Sequence, residues 1–175
     1  MTRECSDNCH EVPDPMPISP TSPLDDIDRR LLAALQENGR LTATELAERI
    51  GLTVSPCLRR LRLLEEAGVI RGYAALIDQK KVGLPVSVFV SIKLERQSEE
   101  AMRAFEDAIR SAPEVLECYL MTGPRDYLLR VVASDLADYE RFVKARLTRI
   151  AGIANIESSF ALGQVKHTGA LPIGR

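Results

Sequence analysis

Between Leu41 and Tyr73 the chain reads LTATELAERIGLTVSPCLRRLRLLEEAGVIRGY, and no other stretch constrains the fold as tightly. Thr42 and Glu45 stand at capping-box spacing, where the hydroxyl and the carboxylate each take a backbone N–H that a helix start leaves unpaired. Leu46 and Ile50 fall on one helical face, and Gly51 supplies the residue type that ends a helix in a left-handed turn. Thr53 is placed to cap a second helix, with Pro56 tolerated in its first turn. Along that helix Leu58, Leu61 and Leu64 or Leu63 are expected to point inward. Arg59, Arg60 and Arg62 are expected to point outward, with no acid between Thr53 and Leu64. Gly68 closes the segment. Two helices joined by so short a turn form the arrangement that seats one of them in the major groove of DNA.

Order is expected to begin just upstream, at Leu24. Asp25 and Asp28 have N-cap to N3 spacing, Ile27, Leu31 and Leu35 recur at helical intervals, and Gly39 stops the run. Downstream, Val69 to Ile77 alternates loosely and is expected to be a strand, forming a wing or the arm to a second domain. From Val86 the pattern changes to strand (VSVFVSIKLE), helix capped by Ser98 with Met102, Phe105 and Ile109 on one face, and strand from Val115 to Met121. A turn from Thr122 to Asp126 leads to a strand over Tyr127 to Ala133. Asp135 opens a helix with Leu136, Tyr139, Phe142 and Val143 facing in, and Ile153 to Lys166 is the last strand. The order β-α-β-β-α-β is that of a ferredoxin-like sheet with both helices on one face. The alternation of Val86, Val88, Val90 and Ile92 is taken to need a second sheet over the other face, which a two-fold dimer supplies.

The expected fold class is therefore α+β: a winged helix-turn-helix over 24–72, a strand or linker over 73–85, and a ferredoxin-like domain over 86–175. Residues 1–23 hold five of the ten prolines and no apolar periodicity, so a disordered arm is expected there. Cys5, Cys9 and His10 lie close together, but no second half of a metal site follows, so no metal is expected. Sparse cysteines without framework spacing, no apolar run of ~18 residues and no apolar core in the N-terminal stretch suggest a cytoplasmic protein without a membrane span or secretory signal.

The net charge of −2 argues only superficially against nucleic acid, because distribution outweighs the total. Residues 1–23 carry one base and four acids, residues 24–84 ten bases and nine acids, and residues 85–175 twelve of each. Three arginines in an acid-free helical window give a local basic face on a neutral body.

That face sets the candidate DNA contacts. Thr53, Ser55 and Pro56 start the helix nearest the bases, where hydroxyls bond base edges or phosphates and free N–H groups favour phosphate. Arg59, one turn beyond Ser55, is placed to fork onto a guanine. Arg60, Arg62, Arg40 and Arg71 are assigned to backbone phosphates, and Thr42 at the preceding helix start joins them. The competing reading, arginines paired with Glu65 and Glu66 on a solvated face, is outweighed by the cap, turn and acid-free window occurring together. Cys57 and Cys118 are read as small packing residues rather than reactive thiols.

The run from Gly39 to Asp78 resembles the DNA-binding domain of the Lrp/AsnC regulators, and the resemblance continues through Pro113 to Val132 and Ser158 to Ile173. The segments Ser55-Pro56-Cys57-Leu58-Arg59-Arg60, Gly68-Val69-Ile70-Arg71-Gly72-Tyr73 and Gly123 to Tyr127 carry it. Where the family has Ser-Pro at the start of its recognition helix, this chain has Thr53-Val54. The resemblance implies an amino-acid effector, with a sulfur amino acid as candidate, and dimers that assemble to tetramers or octamers around DNA. It places an effector pocket around Met121, Thr122, Gly123 and Asp126, between subunits. There the Gly123 amide is suited to a carboxylate and Asp126 to an ammonium, and Ser158 and Ser159 are assigned hydroxyl contacts.

Two other classes compete. Sirohaem decarboxylases keep a similar fold and do tetrapyrrole chemistry, but His10 and His167 are the only histidines here and no catalytic constellation or cofactor motif is present. A sensor that had lost DNA binding would be expected to carry acids or glycines between Thr53 and Leu64, and none occurs.

Overall fold

The structure is a computed structural model that describes residues 24–173. The expected arm over 1–23, with Cys5, Cys9 and His10, lies outside the described residues. Contacts divide the chain into two units, one of residues 24–74 together with 168–173 and one of residues 75–167.

The first unit holds α1 (Asp26–Glu37), α2 (Ala43–Ile50) and α3 (Val54–Glu66). The capping box expected at Thr42 forms, and the N-cap spacing at Asp25 closes into a second box. The Asp25 carboxylate accepts from the Asp28 amide and Asp28 returns the bond, and Thr42 and Glu45 do the same for α2. Asn38 rather than Gly39 occupies the C-cap of α1. The glycine that a turn does require is Gly51, whose φ of 75° carries the chain from α2 towards α3. Leu31, Ala34, Leu46, Ala47, Ile50, Cys57 and Leu64 make the core. Ile173 also packs on this core. Arg29 donates to its carbonyl at 3.2 Å, and Gln36 exchanges two hydrogen bonds with the backbone of Leu171. The segment 168–173, expected to belong with 86–175, thus packs on α1.

The second unit is a four-stranded antiparallel sheet of order β2-β3-β1-β4, built from β1 (Val86–Leu94), β2 (Val115–Leu120), β3 (Tyr127–Ala133) and β4 (Ile153–Phe160). α4 (Glu99–Arg110) follows β1, and α5 (Leu136–Ala145) follows β3, as a ferredoxin-like fold requires. Ser98 and Asp135 cap the two helices as expected.

Five expectations need correction here, the first being that the last strand ends at Phe160 and does not run on to Lys166. Val88, Val90 and Ile92 are fully buried against Phe105, Tyr139 and Phe142 of the helix layer. Their alternation therefore marks the helix-facing side and says nothing of a second sheet. The opposite face carries Ser87, Phe89, Ser91 and Lys93 from β1. It also carries Arg130, which is bonded to Glu117 at 2.9 Å and to Gln79. Leu136 is exposed because it stands in the first turn of α5, ahead of the buried face. Cys118, expected to be packed, lies on the sheet-edge strand β2 and is exposed. Finally, residues 71–78 form no ladder, because no strand of the described chain pairs with them, and Leu76 and Ile77 stand in solvent. No helix of the described residues is long and apolar enough to cross a membrane.

Candidate functional site

α3 is positioned by the turn at Gly51 and by its own buried stripe. Cys57 and Leu64 are buried and Leu61 is partly so, which at 3.6 residues per turn leaves Leu58 and Leu63 off the core. That corrects the expected set, in which leucines alone pointed inward. Cys57 takes the closest position because it is small, and burial pushes its thiol up, away from the reactive thiolate. Thr53 is the N-cap by backbone geometry, yet its hydroxyl makes no capping bond. The hydroxyls of Thr53 and Ser55 are therefore uncommitted at the exposed start of α3, beside Pro56.

The arginines separate into two kinds. Among the described residues Arg59 and Arg62 are exposed and have no ion-pair or side-chain hydrogen-bond partner. Glu65, the acid expected to compete for them, instead accepts from the Tyr73 hydroxyl at 2.9 Å. Burial and that carboxylate push the phenol up to about 12. The helices of the second unit behave differently, since Arg103, Arg110, Arg141 and Lys144 each pair with a carboxylate three or four residues away. The free guanidinia of α3 thus differ from the arginines of α4 and α5, though Arg30, Arg96 and Arg149 are also exposed and unpaired among the described residues. Arg59 and Arg62 line, with Val54, Ser55, Leu58, Leu63 and Glu66, a depression of about 530 Å³.

Arg60 departs from its assignment. Its guanidinium turns to α1 and pairs with Asp25 at 2.7 Å and Asp28 at 2.8 Å. It holds two helices together, which leaves it less free than Arg59 and Arg62 to meet a phosphate. Thr42 is likewise engaged, its hydroxyl shared between the Glu45 amide and carboxylate. Arg40 and Arg71 are exposed with free side chains, one between α1 and α2 and one after α3.

In the second unit the loop Thr122–Arg125 between β2 and β3 is exposed, and Gly123 has φ 108°. The amides of Thr122, Gly123 and Arg125 donate no hydrogen bond among the described residues, and Met121 beside them is exposed. Asp126 does not join them. Its side chain is buried and accepts from the Leu94 amide at 2.7 Å, from Lys93 at 3.1 Å and from Gln97. Burial alone raises its carboxyl, but the Leu94 amide, Lys93 and Gln97 outweigh that and hold it below the usual value of 3.8. Those bonds fasten the loop to β1 and leave little to offer a ligand ammonium, which corrects the expected role.

The two serines are not brought to the loop. Ser158 pairs with Val90 across the sheet and its hydroxyl meets Tyr139, on the helix side. Ser159 faces the other way, opposite Phe89, and β4 lies two strands from β3. Missed in the sequence was Arg125, whose guanidinium bonds Ser91 at 2.8 Å and stands on the same loop as the free amides. The signal was present as a cation between Pro124 and Asp126 but reads equally as a turn residue. A second depression, about 360 Å³ between α4 and the segment Ala145–Ala151, includes no residue of this loop.

Residues 24–71 match a family model described as winged helix-turn-helix DNA-binding, and residues 87–171 match one described as Lrp/AsnC ligand binding domain. The chain is 46% identical over 150 residues to the Bkd operon transcriptional regulator of Pseudomonas aeruginosa, covering 86% of this chain and 98% of that protein. It is 42% identical over 150 residues to the DNA-binding transcriptional activator DecR of Escherichia coli K12, covering 86% and 99%. A transcriptional regulator of Neisseria meningitidis, solved as a complex with L-Met, superposes with a TM-score of 0.82 at 43% identity, over 86% of this chain and 97% of that one.

Proposed function

The chain belongs to the Lrp/AsnC family of transcriptional regulators, and from that premise we propose how it works. α3 enters the major groove of duplex DNA, a small amino acid docks at the β2–β3 loop, and both act on an oligomer of the chain. The observation that carries the DNA half is the pair Arg59 and Arg62, left without carboxylate partners on a helix whose other face is core. An unpaired guanidinium on a groove-seated helix forks onto guanine or neutralises phosphate. Arg59, on the face of Ser55, reads a base. Arg62, Arg40 and Arg71 hold backbone, and Thr53 and Ser55 bond whichever oxygen the helix start meets.

For the effector, the free amides of Thr122, Gly123 and Arg125 and the Arg125 guanidinium form a carboxylate site. No enclosing wall comes from the loop itself, so another copy supplies it. One copy leaves Phe89, Tyr119, Leu76 and Ile77 in solvent, apolar surface that a second copy covers. Dimers that join into tetramers or octamers are the assembly we expect, in the cytoplasm and without catalysis. A sulfur amino acid is the leading effector, supported by the L-Met complex of the meningococcal relative.

Selection of bound duplexes from a random library, read by sequencing, tests the reading. An enriched motif with two-fold symmetry is expected; recovery of no motif at ~100 mM salt would overturn it.

A further inference from the structure

We infer that the acidic N-terminal segment, residues 1–23, docks on the outer face of α3 and competes with DNA for it. This rests on α3 being the DNA-reading helix and gives its face an occupant when no DNA is bound.

The face itself specifies the chemistry of that occupant. Arg59 and Arg62 carry unpaired charge, and Val54 at 38% and Leu63 at 51% exposure add apolar surface to the same depression. A complement therefore carries carboxylates interleaved with aliphatic side chains. Glu66 also lines the depression, so the fit favours the end between Ser55 and Arg62. Residues 1–23 have that composition. Glu4, Asp7, Glu11 and Asp14 oppose a single Arg3, with Val12 between the acids and Met16 and Ile18 just beyond the last of them.

Position supports the same pairing. The segment joins the body at Leu24, and the next residue, Asp25, already touches α3 through Arg60 at 2.7 Å. Arg60 is the chain neighbour of Arg59, so the segment emerges on the flank of the face it would cover. Twenty-three residues reach at most ~75 Å, and the 13 residues of α3 span about 20 Å. Surface arginine–carboxylate contacts are individually weak, but a short tether raises the local concentration of the acids to roughly millimolar. The winged-helix match begins at residue 24, so residues 1–23 lie outside the matched DNA-binding unit.

The consequence is selectivity. Binding to arbitrary sequence is almost wholly electrostatic, so tethered carboxylates weaken it more than they weaken binding that also gains base contacts.

The test uses the full chain and a version with Glu4→Gln, Asp7→Asn, Glu11→Gln and Asp14→Asn, titrated onto a random-sequence duplex. Neutralising the arm is expected to tighten binding roughly three- to tenfold at ~50 mM salt, with the gain gone by ~300 mM. The gain is expected to shrink when Arg62→Ala is added, because the acids then lose a partner. Equal affinities at low salt overturn the inference and leave the DNA assignment standing. A gain undiminished by Arg62→Ala places the segment elsewhere and also overturns it. If neither protein shifts any duplex, the DNA assignment fails and this inference with it.

Discussion

Asp25 uses both oxygens of one carboxylate on two different helices. Oδ1 accepts from the Asp28 amide at 2.8 Å and caps α1, while Oδ2 accepts from Arg60 of α3 at 2.7 Å. Asp28 Oδ1 meets the same guanidinium nitrogen at 2.8 Å. Three charged groups thus set the seat of α3 against α1.

Arg60→Ala is therefore expected to lower the melting temperature by a few degrees. Operator affinity of the folded protein should change less than for either exposed arginine. Calorimetric melting beside a gel-shift titration checks this, and a large affinity loss with unchanged melting would return Arg60 to the DNA contacts.

Arg59→Ala is expected to cost about 1–3 kcal/mol of discrimination at one base pair, with the oligomer intact by sedimentation. Arg62→Ala should weaken all sequences alike and flatten the salt dependence by about one phosphate contact. Identical base preference for Arg59→Ala and the unaltered protein would reject the forked contact.

Asp126→Ala removes the acceptor of the buried Leu94 amide, and the expected loss is about 1–3 kcal/mol in urea unfolding. The same group sets an acid limit. Its folded-state value lies below 3.8, so its contribution is present above that and disappears as pH falls through the folded value. Asp25 is lowered by the Asp28 amide and then by Arg60, and Glu45 by the Thr42 amide and hydroxyl, so both act in the same direction. Stability should decline as pH falls below about 5, with a shallower slope in Asp126→Asn. A flat profile over that range would contradict the assignment.

A screen of the twenty amino acids by thermal shift should single out a few, with a sulfur amino acid among them. A ligand at a hundred times its dissociation constant adds about 2.7 kcal/mol to the native state. Arg125→Ala should abolish the shift while leaving DNA binding in place, and a full shift in that variant would move the carboxylate site elsewhere.

Local chemistry was legible in the sequence, and long-range commitments were not. The Asp25–Asp28 and Thr42–Glu45 boxes, the Ser98 and Asp135 caps and the Gly51 turn each depend on residues within one helical turn, and all formed. The order of strands and helices followed from periodicity. The partners of Arg60 and Asp126 were not legible because they lie 35 and 32 residues away. A charged residue looks the same in sequence whether its partner is DNA, a ligand or its own chain. Leu58 was misplaced, and Leu63 stood open against Leu64, because a helix crowded with leucines admits two inward stripes and only the neighbour that accepts Cys57 chooses between them. The strand expected over Val69 to Ile77 has the right side chains and lacks a ladder partner in its own chain.

The return of residues 168–173 to α1 bears on how the molecule is made. Ile173 and Arg29 meet across 144 positions, so the core under the recognition helix takes material from both sides of the sheet unit. On the ribosome, the three helices emerge first and wait with an open flank while some ninety residues of sheet and helix are translated. At about 5–20 residues per second that interval lasts roughly 5 to 20 seconds. Throughout it the nascent reader has its arginines but not the last piece of its packing.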